Sequence, residues 1–194
     1  MAEGCSLLIL AGGNSRRMGR DKAMLSAGGL TLVEYLARRL GPAVDEVLVS
    51  LARPIPGLSG LRFVFDRFQG VGPLAGIHAG LTAASQPLVW IVACDLPGVE
   101  PPVGSLLRRE AVGVDAVVPR VGDELEGVCA VYRRELGNHV DAYLREGKRS
   151  IKSMLDTLNV RYLTADELRT VDPELRSFRN LNTPAEYRDW IRTR

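Results

Sequence analysis

Residues Leu7–Lys22, L-L-I-L-A-G-G-N-S-R-R-M-G-R-D-K, decide how the rest of the chain is read. The apolar run Ser6-Leu7-Leu8-Ile9-Leu10 has the length and composition of a buried strand. It breaks at Ala11-Gly12-Gly13, where minimal side chains let the backbone turn tightly and approach a ligand. Arg16, Arg17, Arg20 and Lys22 then crowd around Met18-Gly19. Bare amides followed by clustered cations suit a polyphosphate, which needs inward N–H donors and neutralising positive charge.

Two phosphate-loop patterns do not fit. A Walker A loop requires G-x-x-x-x-G-K-[ST], whereas Arg20-Asp21 separates Gly19 from Lys22 and Ala23 follows. Gly12-Gly13 does not provide the G-x-G-x-x-G of a dinucleotide fold. That pattern does occur at Gly70-Val71-Gly72-Pro73-Leu74-Ala75, with Asp95 about 20 residues on. Polar Asp66–Gln69 separates these glycines from their strand, and the unit is third in order, so a dehydrogenase is disfavoured.

Working outward, Thr31 and Glu34 form a capping box for a helix through Leu40. Strands are expected at Glu46–Leu51 and Leu61–Phe65, a helix from Pro73 to about Ala84, and a central strand over Pro87–Cys94. Strand and helix alternating at these intervals predict a right-handed, mostly parallel α/β sheet. Asp95 follows the central strand, at the end where such sheets bind ligands. The Gly-rich loop leaves its own strand at the same end, so both features converge on one rim and make Asp95 a candidate magnesium ligand.

Further strands are expected at Val114–Pro119 and Gly127–Tyr132, joined by a mobile rim loop over Val121–Gly127. Helices follow near Leu136–Arg145 and Ile151–Leu158, then an edge strand at Val160–Leu163. A terminal helix opens with Thr183 as N-cap, Pro184 in the first turn and Glu186 completing a capping box. Asn180 and Asn182 lack such a structural duty and are candidates for ligand contact.

The 194 residues suit a single domain, 46% of them hydrophobic and 25% charged. A net charge of +2 lacks the basic footprint of a nucleic-acid binder. Cys5, Cys94 and Cys129 are isolated, and neither His78 nor His139 has a partner at metal-ligand spacing. No run approaches membrane-spanning length, and Glu3 argues against a signal peptide, so a cytoplasmic enzyme or binding domain is expected.

The opening stretch resembles the nucleotidyltransferase signature L-A-G-G-x-S-x-R-M-G-x-D-K. With G-P-L-A-G at Gly72–Gly76, C-D-L-P at Cys94–Pro97, C-A-V-Y-R-R at Cys129–Arg134, G-K-R-S at Gly147–Ser150 and N-L-N-T-P at Asn180–Pro184, the chain is similar to the molybdenum cofactor guanylyltransferases. The resemblance implies a three-layer α/β/α, Rossmann-like nucleotidyltransferase fold with a mostly parallel central sheet. It implies transfer of GMP from GTP to the phosphate of molybdenum-bearing molybdopterin, with Mg2+ and release of pyrophosphate. The nucleotide-binding half would cover about 1–100 and the acceptor-binding half about 101–194.

Carried over by position, Leu10, Ala11, Gly12 and Gly13 would line the nucleotide, with Lys22 at its phosphates and Arg17 stabilising charge at the transferring phosphate. Asp66 would help bind the nucleotide, Asp95 would hold Mg2+, and Asn180 and Asn182 would face the pterin. Arg17, Lys22 and Asp95 are thus the catalytic set. Ser50 stands at a nucleotide-contacting position where relatives often carry Asn, and Glu126-Gly127 where Pro or a bulkier apolar pair is common. Partners implied are GTP and molybdopterin, with room for transient contact with other molybdenum cofactor proteins and none for nucleic acid or membrane. A cytidylyl or other small-molecule NTP transferase stays open, as does a GTP-binding regulatory module without turnover.

Overall fold

The computed structural model describes residues 3–12 and 22–193. Strand β1 (Cys5–Leu10) is followed by a small hairpin, β2 (Ser26–Ala27) and β3 (Leu30–Thr31), and by helix α1 (Leu32–Leu40). Then come β4 (Glu46–Leu51), β5 (Arg62–Phe65), α2 (Pro73–Ala83), β6 (Leu88–Ala93) and α3 (Pro101–Arg109). The remainder runs β7 (Ala116–Val121), β8 (Glu124–Leu125), β9 (Cys129–Arg133), α4 (Gly137–Arg145), α5 (Ile151–Leu155), β10 (Val160–Leu163), α6 (Ala165–Arg169) and α7 (Pro184–Thr193).

The main sheet has the order β10-β7-β9-β6-β1-β4-β5, with β8 pairing β7. Neighbours are parallel from β6 through β1 and β4 to β5, and β10 is parallel to β7. β9 is reversed, antiparallel to both β6 and β7, and the short β8 runs antiparallel to β7. The expected mostly parallel α/β sheet is therefore present.

Side-chain alternation along β1 builds both cores, because successive residues of a strand face opposite sides. Leu7 and Ile9 pack with Val33, Leu36 and Leu40 of α1 and with Val103, Leu106 and Leu107 of α3. Leu8 and Leu10 pack with Leu74, Ile77 and Leu81 of α2 and with Val140 and Leu144 of α4. All of β1 is buried, which explains its unbroken apolar sequence. The helices approach closely: a Cβ at Gly80 of α2 would lie 2.1 Å from Leu8 Cδ2, and one at Gly104 of α3 would lie 2.5 Å from the Trp90 ring.

The capping box of α1 forms as read, with the Thr31 hydroxyl accepting from the Glu34 amide and the Glu34 carboxylate accepting from Thr31 N–H. Two helices were not anticipated, α3 and α6. The segment Val121–Gly127, expected to be a loose rim loop, is instead a folded hairpin. Its two-residue turn at Gly122-Asp123, with Gly122 at φ 61°, pairs Arg120 with Leu125 and Val121 with Glu124. Among the described residues no helix is long and apolar enough to cross a membrane.

Candidate active site

From β1 the chain passes outward on one side to β4 and β5, then returns across the sheet to β6 on the other flank. Strand order thus reverses between β1 and β6, and the crevice beyond their carboxyl ends is where α/β sheets bind ligands. Three backbone hydrogen bonds knit this rim. Ala11 N–H donates to Ser50 O at 2.9 Å, Cys94 N–H to Leu10 O at 3.0 Å, and Asp66 N–H to Leu51 O at 3.1 Å. The ends of four strands therefore bring Ala11, Gly12, Ser50, Asp66 and Asp95 to the same edge.

Gly12 is exposed and closely backed. A Cβ there would sit 3.0 Å from Ala52 N and 3.2 Å from Asp66 Oδ2, so a side chain would press on the very group beside it. Leu10 and Ala11 are buried and contribute to this surface through backbone. Ser50 is only 1% exposed, and its hydroxyl donates to Asp66 Oδ1 at 2.8 Å. A Cβ at Gly76 would come within 2.6 Å of Ser50 Oγ, so the small residue fits under the first turns of α2. Ser50 thus acts through Asp66. Burial pushes the Asp66 carboxyl up from its ordinary value, opposed by the Ser50 hydrogen bond and by His78.

On the other flank, Lys22 Nζ lies 3.1 Å from Asp95 Oδ2 and donates to Asn182 Oδ1, also at 3.1 Å. The Lys22 and Asp95 side chains are 15% and 27% exposed, a partly desolvated pair open to ligand from one side. The carboxyl-terminal segment reaches them by backbone anchoring. Leu181 N–H donates to Asp95 O at 2.8 Å, placing Asn180 and Asn182 on either side of that anchor. Upstream, buried Asp172 accepts from Arg176 and Ser177 amides, and the Ser177 hydroxyl accepts from Glu100 N–H. Downstream, Glu186 accepts from the amides of both Asn182 (2.7 Å) and Thr183 (2.8 Å). These amides, with the Lys22 charge nearby, hold the Glu186 carboxyl below its usual range.

Gly13 and Arg17 lie outside the described residues. The other sequence-predicted positions gather on the rim in two groups, Gly12–Ser50–Asp66 and Lys22–Asp95–Asn182. Glu126 joins the second group's neighbourhood, since Ala93 N–H donates to Val128 O beside it. Burial, then Glu124 and Asp95, raises its carboxyl. Gly127 cannot be enlarged there, because a Cβ would meet Ile151 Cγ2 at 2.6 Å. The role of Glu186 was missed, since its capping box already accounted for it.

Among the described residues no group of three or more His, Cys, Asp or Glu could hold a metal ion. A magnesium site does not require one: this ion keeps several waters and binds through one or two carboxylates plus substrate phosphates. Asp95, a hard oxygen donor on this rim beside the Lys22 ammonium, fits that pattern.

A crevice at the strand-order reversal, with an acid at its central strand and a lysine bridging to the far end of the chain, suits a phosphate-bearing ligand. Residues 7–162 match the family model described as the MobA-like NTP transferase domain, and the chain belongs to that family. It is 36% identical to a probable molybdenum cofactor guanylyltransferase of Pelotomaculum thermopropionicum, covering 92% of this chain and 88% of the relative. It is 34% identical to the molybdenum cofactor guanylyltransferase of Syntrophotalea carbinolica, covering 96% and 90%. Among solved structures, molybdopterin-guanine dinucleotide biosynthesis protein A from Archaeoglobus fulgidus superposes with a TM-score of 0.83 at 30% identity, over 95% of each chain. The three-layer nucleotidyltransferase fold is thereby established, and the glycines at Gly70 and Gly72 belong to the turn before α2 rather than to a dinucleotide fingerprint.

Proposed function

We propose that the chain transfers GMP from GTP to the phosphate of molybdenum-bearing molybdopterin, forming molybdopterin guanine dinucleotide and pyrophosphate. The observation that carries this reading is the meeting of Lys22, Asp95 and Asn182 at one point of the rim. It supports a nucleotide bound by the first half of the chain, about 1–100, and an acceptor bound by the second, about 101–194, within a single domain.

In the reaction an acceptor phosphate oxygen attacks the α-phosphorus of GTP in line, a new P–O bond forms, and the bond to the β-phosphate oxygen breaks. The acceptor oxygen is already ionised at neutral pH, so no general base is needed. The obstacle is charge: two anions approach while negative charge builds on departing pyrophosphate. Lys22 and the Gly-rich backbone offer preorganised positive ends to those phosphates. Asp95 would hold Mg2+, which supplies charge neutralisation and a template for the phosphate oxygens. Gly12 gives the nucleotide close access to backbone, and Asp66, held by Ser50, offers acceptor oxygens to its donors. Arg17 is assigned to charge stabilisation by resemblance. Asn180 and Asn182 would meet the pterin side.

The test is pyrophosphate release with GTP, CTP, ATP and UTP in turn, each with Mg2+ and with or without molybdate-loaded molybdopterin. Release confined to GTP and dependent on acceptor is expected. Release with CTP would make the chain a cytidylyltransferase, and saturable GTP binding with no release would make it a regulatory module.

A further inference from the structure

The Lys22 ammonium does more than wait for a phosphate. It is closed on Asp95 Oδ2 and Asn182 Oδ1 together, each at 3.1 Å. One contact lies on the strand that carries the expected metal ligand, the other on the segment expected to meet the acceptor. We propose that Lys22, Asp95 and Asn182 form a clasp, which keeps the site closed to a bare divalent cation and opens when a triphosphate draws Lys22 away. The proposal rests on the nucleotidyltransferase reading above and adds an order of events to it.

The reasoning is one of competing partners. Asp95 contributes one carboxylate, and an ion that sheds water reluctantly gains little from one carboxylate already paired with an ammonium. The pair is only partly exposed to solvent, so the positive charge beside Asp95 is incompletely screened and opposes a second cation. A triphosphate changes the balance. Its several anionic oxygens offer Lys22 stronger charge-assisted hydrogen bonds than one carboxylate and one amide oxygen. Once Lys22 turns to the phosphates, Asp95 and Asn182 are released in the same movement. Metal and nucleotide therefore enter as a pair, and the acceptor side becomes complete only afterwards.

Glu186 anchors the third member. By accepting from the Asn182 and Thr183 amides it holds Asn182 where its side chain can reach Lys22, and its own charge acts on Lys22. The clasp thus joins the turn after the Gly-rich loop to the segment just before α7, 160 residues apart.

The experiment is a titration of the full chain with Mn2+ in the absence of nucleotide, read by the electron paramagnetic resonance signal of unbound Mn2+. Lys22→Met, which keeps the side-chain length without its charge, is expected to bind bare Mn2+ about tenfold more tightly than the unaltered protein. Asn182→Ala, which leaves every charge in place, is expected to gain about threefold by loosening Lys22. The double variant Lys22→Met, Asp95→Asn should lose the gain. Circular dichroism and thermal melts establish that each variant is folded. Equal Mn2+ affinity in Lys22→Met and the unaltered protein would overturn the clasp. So would a gain in Lys22→Met with none in Asn182→Ala, since that pattern is simple charge repulsion. A GTP titration of the unaltered protein accompanies these, because failure to bind GTP would bring down the guanylyl reading proposed above and not the clasp, which needs only a triphosphate.

Discussion

The two flanks of the rim are built by different means. On the Gly12–Ser50–Asp66 flank, position comes from buried parallel strands: β1 is wholly buried, Ser50 is sealed beneath α2, and three strand-to-strand hydrogen bonds set the heights of the loops. On the Asn180–Asn182 flank, position comes from an exposed segment tied down at a few points, chiefly Leu181 to Asp95 and Asn182 to Glu186. Helix α7 buries none of its residues and leans on the body through the Tyr35–Trp190 ring contact and the Tyr187 hydroxyl bond to Ser26 O. A flank made from the core resists perturbation and discriminates by shape. A flank made from a tethered tail can yield, which would suit the bulky acceptor proposed above.

Asp95, beside Lys22, is the expected Mg2+ ligand, so its loss should have the largest effect. Asp95→Ala is expected to lower kcat by on the order of a thousandfold or more, with Mg2+ unable to restore it. Steady-state pyrophosphate release across a Mg2+ series measures this, and kcat within tenfold of the unaltered protein would remove Asp95 from the mechanism. Gly12→Ala tests the rigid flank alone. The added Cβ meets Ala52 N and Asp66 Oδ2, so KM for GTP should rise roughly tenfold, about 1.4 kcal/mol, with KM for the acceptor little changed. Equal rises in both would mean that the two flanks are not separable. Glu186→Ala tests the tethered flank. Removing the acceptor for two amides should raise KM for the acceptor about threefold and leave KM for GTP unchanged, with a loss of about 1 kcal/mol or less in stability. The converse pattern would place Asn182 on the nucleotide side.

The smallest effect lies behind the rigid flank. His78 is buried between α2 and α4, 3.3 Å from Asp141 Oδ1, with its Nδ1 unpartnered and its ring edge-on to Phe68. Burial lowers its pKa, more than Asp141 and Asp66 raise it and with Arg67 and Arg145 acting in the same direction as burial. An unfolded histidine titrates near 6.5 and the folded one below it, so the unfolded chain binds the extra proton first. This contribution to stability is complete above that pH and is lost as pH falls through the interval. Replacing it by Gln should flatten the slope of Tm between pH 7 and pH 5. Parallel slopes would show that His78 carries no such linkage.

The rigid flank was the more legible of the two because its signals are local. A strand followed by glycines, an acid after an apolar run, and Thr31 three residues before Glu34 each declare themselves within a few positions. Helix α3 did not, since Glu100 makes no side-chain cap and Gly104 lowers the helix propensity of its interior, although Pro101-Pro102 suit a first turn. Packing overrides that argument, because Gly104 is what lets α3 lie on the Trp90 ring. Helix α6 was overlooked although its Thr164–Glu167 capping box was present to be read. The reversal of β9 is a matter of pairing direction, which side-chain alternation does not encode. Ser50 could be placed on its strand, but not its hydroxyl bond to Asp66, and the contact of Lys22 with Asn182 spans most of the chain. Such a contact has no signature in either neighbourhood.

That last contact has a temporal side. Lys22 is synthesised before every strand but β1 and Asn182 after all of them, since every strand of the sheet is complete by Leu163. A product ending shortly after Leu163 would retain every strand, yet it would lack Asn180, Asn182 and the helix that steadies them. It would also lack Leu168 and Phe178 of the core, so the segment that brings Asn182 to Lys22 is also part of what holds the body together.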